Sequence, residues 1–196
     1  MHIEFLVEEP SMEMALKSIV PKIIEIQHTF SIHNFQDKKR LLKRLPMRMQ
    51  AYANFLPDDW RIVVLVDRDN HDCKKLKQEL GKASRVVIKK KGNVVLHRIA
   101  IEELEAWFLG DIPAIRVEFP KVSANLDKNK KFRDPDAIKG GTWETLDKLL
   151  KDYGYQGLFK TQFAQRIAPN MNVENNRSKS FQVFRDGLRK IVSQGK

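Results

Sequence analysis

Apolar positions along the chain follow two periods, and their alternation sets the expected architecture. Residues 3–7 (Ile-Glu-Phe-Leu-Val) and 61–66 (Arg-Ile-Val-Val-Leu-Val) are β-rich runs. The second is unbroken and β-branched, the pattern of a strand covered on both faces in a parallel sheet. The first run stops at Glu8 and Glu9, and Pro10 and Ser11 follow in the manner of a turn and helix start. Met12, Leu16, Ile19, Val20, Ile23 and Ile24 then recur at helical spacing, with Pro21 expected to kink or end that helix. Residues 29–33 read as a second strand. From about Asp37 to Phe55 a second helix carries Leu41, Leu42, Leu45, Met49 and Tyr52, with Lys38, Lys39, Arg40, Lys43 and Arg44 facing water and Pro46 limiting its continuity. Beyond Asp67-Arg68-Asp69 the pattern predicts a helix from about 72 to 81. Strand-like stretches follow at 84–90 and 93–101, and a helix at 102–109. Strands alternating with helices imply an α/β domain.

The last third reads differently. Pro113, Pro120, Pro135 and the Gly140-Gly141 pair punctuate a polar segment, 113–141, which is expected to be a long surface excursion. Two or three helices should close the chain, over 142–154, over 158–168, and finally over the stretch with Phe181, Phe184, Leu188 and Ile191, capped by Ser180. Residues 1–112 are therefore expected to form the α/β core. Residues 113–196 form a loop-rich and helical extension packed on it rather than an independent domain. There is no internal repeat or low-complexity tract.

Composition narrows the setting. At 196 residues and 42% hydrophobic, the chain can bury a real core. No apolar run approaches the roughly 20 residues a membrane span needs, and the opening lacks the pattern of a signal peptide, so a cytoplasmic location is expected. Cys73 is the single cysteine, which excludes an internal disulfide and a cysteine-built zinc site. Thirty-six Lys and Arg against twenty-five Asp and Glu give +11 at pH 7 and a pI near 9.7, a surface that attracts polyanions, of which nucleic acid is the commonest.

The acids are placed where an α/β sheet binds ligands, beyond the carboxyl ends of its strands. Glu8 and Glu9 end the first strand, Asp67 and Asp69 end the strand at 61–66, and Glu102, Glu103 and Glu105 follow the strand that ends near Ile101. Each has a plain alternative. Acid pairs occur in solvated turns, aspartates cap helices, and acids at a helix start complement its dipole. Together, carboxylates at three strand ends would repel one another unless a cation occupied the cluster. Mg²⁺ (or Mn²⁺), which prefers hard oxygen ligands and is held by one or two carboxylates plus substrate phosphate, suits such a site.

The order strand-Glu, strand-Asp-x-Asp, acidic helix start resembles the Toprim fold of topoisomerases, bacterial primases and the nucleases of the overcoming-lysogenization-defect (OLD) group. The stretches FLVEEPSMEMAL, DWRIVVLVDRDNHDC, RIAIEELEAWFLGD, RDPDAIKGGTWE and RSKSFQVFRDGL resemble, across essentially the whole chain, a bacterial family of Toprim-like proteins allied to OLD nucleases. That resemblance implies a three-layer Toprim-like domain with a mainly parallel sheet and a helical C-terminal extension. It also implies a role in antiviral (phage) defence, beside an ATPase of the structural-maintenance type. Residue by residue, it puts the strand-end glutamate on Glu8 or Glu9 and the metal aspartates on Asp67 and Asp69. Glu9 and Glu13 supply a Glu-x-x-x-Glu spacing where the usual phrase has Gly after its Glu. Glu102 or Glu105 would complete a second metal site, and Lys139 would make the basic transition-state contact.

Other chemistries fit less well. A haloacid-dehalogenase phosphatase wants Thr or Val where this chain has His71. His71, Asp72 and Cys73 are adjacent and have no CxxC or HxxxH partners for zinc. Trp60, Trp107 and Trp143 read as core more readily than as base-stacking platforms. No GxxxxGK is present, so ATP hydrolysis would come from a partner. Two functions remain. One is a Mg²⁺-dependent nuclease. The other is a catalytically silent module that binds nucleic acid or docks on an ATPase. The resemblance also implies that a partner, or a second copy of the chain as a homodimer, would complete the nuclease's substrate channel.

Overall fold

The computed structural model describes residues 1–193, which form a three-layer α/β fold around one parallel sheet. β1 (His2–Val7) leads through α1 (Pro10–Ile23) to β2 (Thr29–Asn34), and α2 (Lys38–Phe55) leads to β3 (Trp60–Asp67). α3 (Cys73–Lys91) then precedes β4 (Val95–Ala100). The strand order is β2-β1-β3-β4, all parallel, with Val7 opposite Leu65 and Asp67 opposite Ala100. The chain runs outward from β1 to β2 on one side and then crosses to β3 and β4 on the other. The crevice between the carboxyl ends of β1 and β3 is therefore the topological switch point, where open α/β sheets bind their ligands.

Side chains alternate across the sheet, as the pleat demands. Leu6, Ile62, Val64 and Val66 pack under α2 and α3 against Leu41, Leu45, Met49, Leu76, Leu80 and Val87. Ile3, Phe5, Val7, Val63 and Leu65 face the other layer, built by α1 and the later helices α4 (Glu105–Leu109), α5 (Ile112–Glu118), α6 (Thr142–Asp152), α7 (Lys160–Ile167) and α8 (Lys179–Ser193). Trp107 lies at the centre of that layer, fully buried against Phe181 and Phe184, with its indole N–H donating to Ser180 at 3.0 Å. Among the described residues no helix is long and apolar enough to cross a membrane.

Several expectations need correction. Residues 84–90 are not a strand but the second half of α3. Asp72 caps the helix by accepting from the Lys75 amide, and Leu76, Leu80, Ser84 and Val87 keep one buried stripe until Gly92, whose φ of 78° ends it. The β-branched run at 86–88 misled because only Val87 of the three needs to be buried. Pro21 and Pro46 lie inside α1 and α2 without ending them. The segment 113–141 does run along the surface, most of its residues exposed, but it is pinned to the core along its length. After α5 it runs through three short 3-10 turns whose Leu126, Phe132 and Ile138, with Phe119 and Val122, are buried in the same core as β1 and α1. The cap of α8 is Ser178, whose hydroxyl accepts from the Phe181 amide at 3.1 Å, whereas Ser180 is buried beside Trp107. Lys38 does not face water either; it is 7% exposed and turned into the site described next.

Candidate active site

The switch-point crevice is lined by acids from three strand ends. Glu8, one residue past β1, is buried, and its carboxylate accepts from the backbone N–H of Asp67 at 3.1 Å, tying the ends of β1 and β3 together. Asp67, the last residue of β3, is 2% exposed, and its Oδ1 has no hydrogen-bond partner. Glu105 opens α4 just beyond β4, is fully buried, and leaves both carboxylate oxygens without a hydrogen bond. Glu9, at the start of α1, is half-buried and accepts from the Ser11 hydroxyl. Its charge reaches Asp67, Glu105 and Lys160, so it belongs to the same cluster.

Two lysines enter this acidic pocket, one from α2 and one from α7. Lys38, the first residue of α2, donates to Asp69 Oδ2 at 2.5 Å and lies 3.7 Å from Glu8. Lys160, the first residue of α7, donates to Glu103 at 3.0 Å and lies 3.8 Å from Glu105 Oε2. Glu103 is further fixed by the Thr142 hydroxyl and the Trp143 amide, at 3.0 and 2.9 Å.

The turn after β3 and the turn after β4 support each other. The Asp69 amide donates to the Glu102 carbonyl at 2.8 Å, and Arg68 pairs with the Glu102 carboxylate. Asp69 and Glu102 hold φ values of 47° and 61°, a left-handed conformation that L-residues adopt at a penalty of order 1 kcal/mol and that clusters at functional sites. The mutual hydrogen bonding over-determines this strained pair.

Electrostatics separate the acids into two groups. Burial pushes Glu8 up to about 7, against the pull of Lys38 and the Asp67 amide. Burial pushes Glu105 up to about 8, despite Lys160. Asp67 is raised well above the carboxylate range by burial and then by the charges of Glu8, Glu105 and Glu9. Glu103 goes the other way: burial works against its charge, but the Trp143 amide, Lys160 and Thr142 hold it below the usual value. Glu103 is thus satisfied by the protein, while the lysines only partly offset the burial of Glu8 and Glu105, and Asp67 has no cation within ion-pair distance among the described residues.

Among the described residues no three carboxylate, imidazole or thiolate groups form a ready-made ligand set. Mg²⁺ held by one or two carboxylates, waters and a substrate phosphate needs no such set. The donor chemistry fits, because buried carboxylate oxygens without partners at Asp67 and Glu105 are what a hard cation would satisfy.

Of the candidates named from sequence, the fold brings Glu8, Glu9, Asp67 and Glu105 together, with Asp69 at the rim on Lys38. Glu102 is turned to Arg68. Glu13 lies one turn into α1 and is engaged by Lys17, at 2.7 Å, and by Asn34. Lys139 is exposed and takes no part in the ion pairs of the cluster; Gly140 and Gly141, both at positive φ, turn the chain there, and the lysine beside Glu103 and Glu105 is Lys160. Lys38 had a usable signal, since the first residue of a helix that follows a parallel strand lies at the ligand end of the sheet. Lys160 had none, being delivered from 55 residues beyond Glu105 by the packing of α7 on α1 and α5.

No curated protein and no solved structure matches the chain. Residues 7–189, from the last residue of β1 to the later turns of α8, match a family described as "Domain of unknown function (DUF4276)", and the chain belongs to that family.

Proposed function

We propose that this protein is a Toprim-type, metal-dependent nuclease that hydrolyses phosphodiesters of nucleic acid in the cytosol. One observation carries the reading: acids from three strand ends converge at the switch point, and three of their buried oxygens, Asp67 Oδ1 and both of Glu105, accept no hydrogen bond. Burying carboxylates unpaired is among the more costly arrangements a fold can retain. Its retention beside two lysines is the arrangement expected of a phosphate site rather than of a structural core.

Glu8, Asp67 and Glu105, with Glu9 at the edge, are the residues that would hold the ion. A divalent cation bound there would supply a nucleophilic water at neutral pH and neutralise charge on the phosphoryl group. The chain's own contribution is positional. Lys38 and Lys160 place two ammonium groups beside the acids, where charge develops on the phosphoryl oxygens. Asp69 and Glu103 orient those lysines through hydrogen bonds of 2.5 and 3.0 Å. The Glu8 carboxylate is fixed by the Asp67 amide. Any ATP hydrolysis would come from a partner, an ATPase of the structural-maintenance type on the resemblance noted above.

A second reading has its own observation. Lys38 and Lys160 already lie within 4 Å of Glu8 and Glu105 and supply part of the counter-charge, as expected if the crevice is a silent scaffold in a nucleic-acid-binding or ATPase-docking module. The two separate in one experiment. Purified protein is incubated with DNA and RNA substrates in Mg²⁺, Mn²⁺ or chelator, alongside Asp67→Asn and Glu105→Gln. Metal-dependent cleavage that both variants lose, with substrate binding kept, supports the nuclease. Unchanged cleavage in both variants, or no cleavage together with no metal uptake by calorimetry, removes it.

A further inference from the structure

We propose that the outer face of the α2–α3 layer is the protein's nucleic-acid track, seating about eight base pairs of duplex to one side of the acid cluster; the cutting at its end rests on the nuclease reading above. Charge segregation carries the inference. α2 contains six Lys and Arg and no acid, and α3 contains eight with Glu79 as its sole acid. The rest of the chain, with twenty-two basic and twenty-four acidic residues, is close to neutral. The formal charge of +11 is therefore the property of one layer, not of the surface at large.

The two helices lie side by side, separated by a groove of about 670 Å³ lined by half-buried Leu42, Ala83 and Val86 and by exposed Pro46, Lys82 and Arg85, with Glu79 the one acid on it. Lys43, Arg44, Lys82 and Arg85 are exposed, so their charges are directed to solvent. Both helices begin at the site. Lys38 opens α2 on Asp69 and Glu8, and Asp72, three residues beyond Asp69, caps α3. From there basic residues continue to Lys89, Lys90 and Lys91 at the far end of α3.

At 1.5 Å per residue, helices of 18 and 19 residues run about 27 Å, the length of about eight base pairs at 3.4 Å each. An acidic protein segment seated in the groove is the competing occupant. It would need charges flanking the groove alone, whereas these extend along α3 from end to end and along α2 from Lys38 to Arg48, as a row of phosphates does.

The test is fluorescence anisotropy in chelator, so that cutting plays no part. Wild-type protein should bind a hairpin with a twelve-base-pair stem at least tenfold more tightly than one with four, with a Kd that rises steeply and log-linearly with salt. Lys43→Glu/Arg44→Glu and Lys82→Glu/Arg85→Glu should each weaken binding tenfold or more. Lys128→Glu/Lys130→Glu, exposed on the 3-10 turns after α5, should stay within twofold. Because charge reversal can also perturb folding, acetylation of the wild-type protein with and without duplex gives an independent reading: Lys43, Lys82 and Lys89 protected, Lys128 and Lys130 not. Equal losses from both faces, equal affinity for the two hairpins, or displacement of duplex by polyglutamate at matched charge would each overturn the track. A protein that binds on this face and never cuts leaves the track standing and removes the nuclease reading alone.

Discussion

Glu105→Gln tests the site without requiring a substrate. Glu105 is fully buried and its carboxyl is raised from 4.5 to about 8, chiefly by burial. Between those two values the unfolded chain has lost the proton that the folded chain keeps. The unfolded state therefore binds fewer protons, and stability falls as pH rises through the window, levelling off above about 8. At about 1.4 kcal/mol per pH unit, Glu105 alone accounts for up to about 5 kcal/mol of that loss. Glu8, raised to about 7, and Asp67, also raised by burial, titrate in the same direction. For a domain of this size 1 kcal/mol moves Tm by about 2–4 °C, so in chelator Tm should drop by roughly 10 °C or more between pH 5 and 8.5.

Glutamine keeps the shape and removes the titration, so the variant should show a clearly shallower slope. Its absolute stability is a poorer readout, because a buried amide needs partners of its own. Mg²⁺ or Mn²⁺ should recover wild-type Tm at pH 8.5, where Glu8 and Glu105 are ionised, and have little effect at pH 5. Scanning calorimetry at five pH values, with chelator and with metal, gives all three curves. A wild-type Tm that is flat from pH 5 to 8.5, or an unchanged slope in Glu105→Gln, would show that Glu105 is neither buried nor unpaired in solution, and the argument for the cation site would fail with it.

The two aspartates of the Asp67-Arg68-Asp69 turn should respond in opposite directions. Asp67→Asn relieves an unpartnered buried carboxylate and should raise the Tm of metal-free protein above pH 7, whereas Asp69→Asn removes the 2.5 Å partner of buried Lys38 and should lower it; equal shifts by calorimetry would contradict the geometry. Gly187→Ala places a methyl against the Arg98 guanidinium, which lies across α8 and donates to the Val183 carbonyl, and should destabilise by about 1–3 kcal/mol in urea titrations, with no effect on metal binding.

The strands were legible because a buried parallel strand announces itself in composition alone. Residues 61–66 are apolar on both faces, and β3 extends them by one residue at either end. Helices under the sheet were harder. Residues 84–90 carry three β-branched side chains in a row, and local propensity favours a strand there, but a cap at Asp72 and a stop at Gly92 let the packing of Leu76, Leu80 and Val87 decide otherwise. The core contacts of the segment 113–141 were hidden for a different reason. Its apolar residues are spaced by turns rather than by either regular period, so Phe119, Leu126 and Phe132 look isolated in sequence and meet only in the folded core.

The site shows the same division, and here it bears on mechanism. Carboxylates at strand ends are visible in sequence because each follows its own strand. The lysines are not, because a lysine in a basic chain carries no mark of where its ammonium is directed. Yet the lysines are what split the cluster. Asp69 and Glu103 are bonded to Lys38 and Lys160, and Glu103 is held ionised, while Glu8, Asp67 and Glu105 are left as the set whose charge nothing in the chain fully balances. A structural ion-pair network would distribute its cations to the most buried acids, where the penalty for an unpaired charge is greatest. This one does the reverse, pairing its lysines most closely with the less buried Asp69 and Glu103 and leaving Asp67 and Glu105 with unpartnered oxygens. That inversion is what a binding site requires, because a group already satisfied by its own chain has nothing left to offer a ligand.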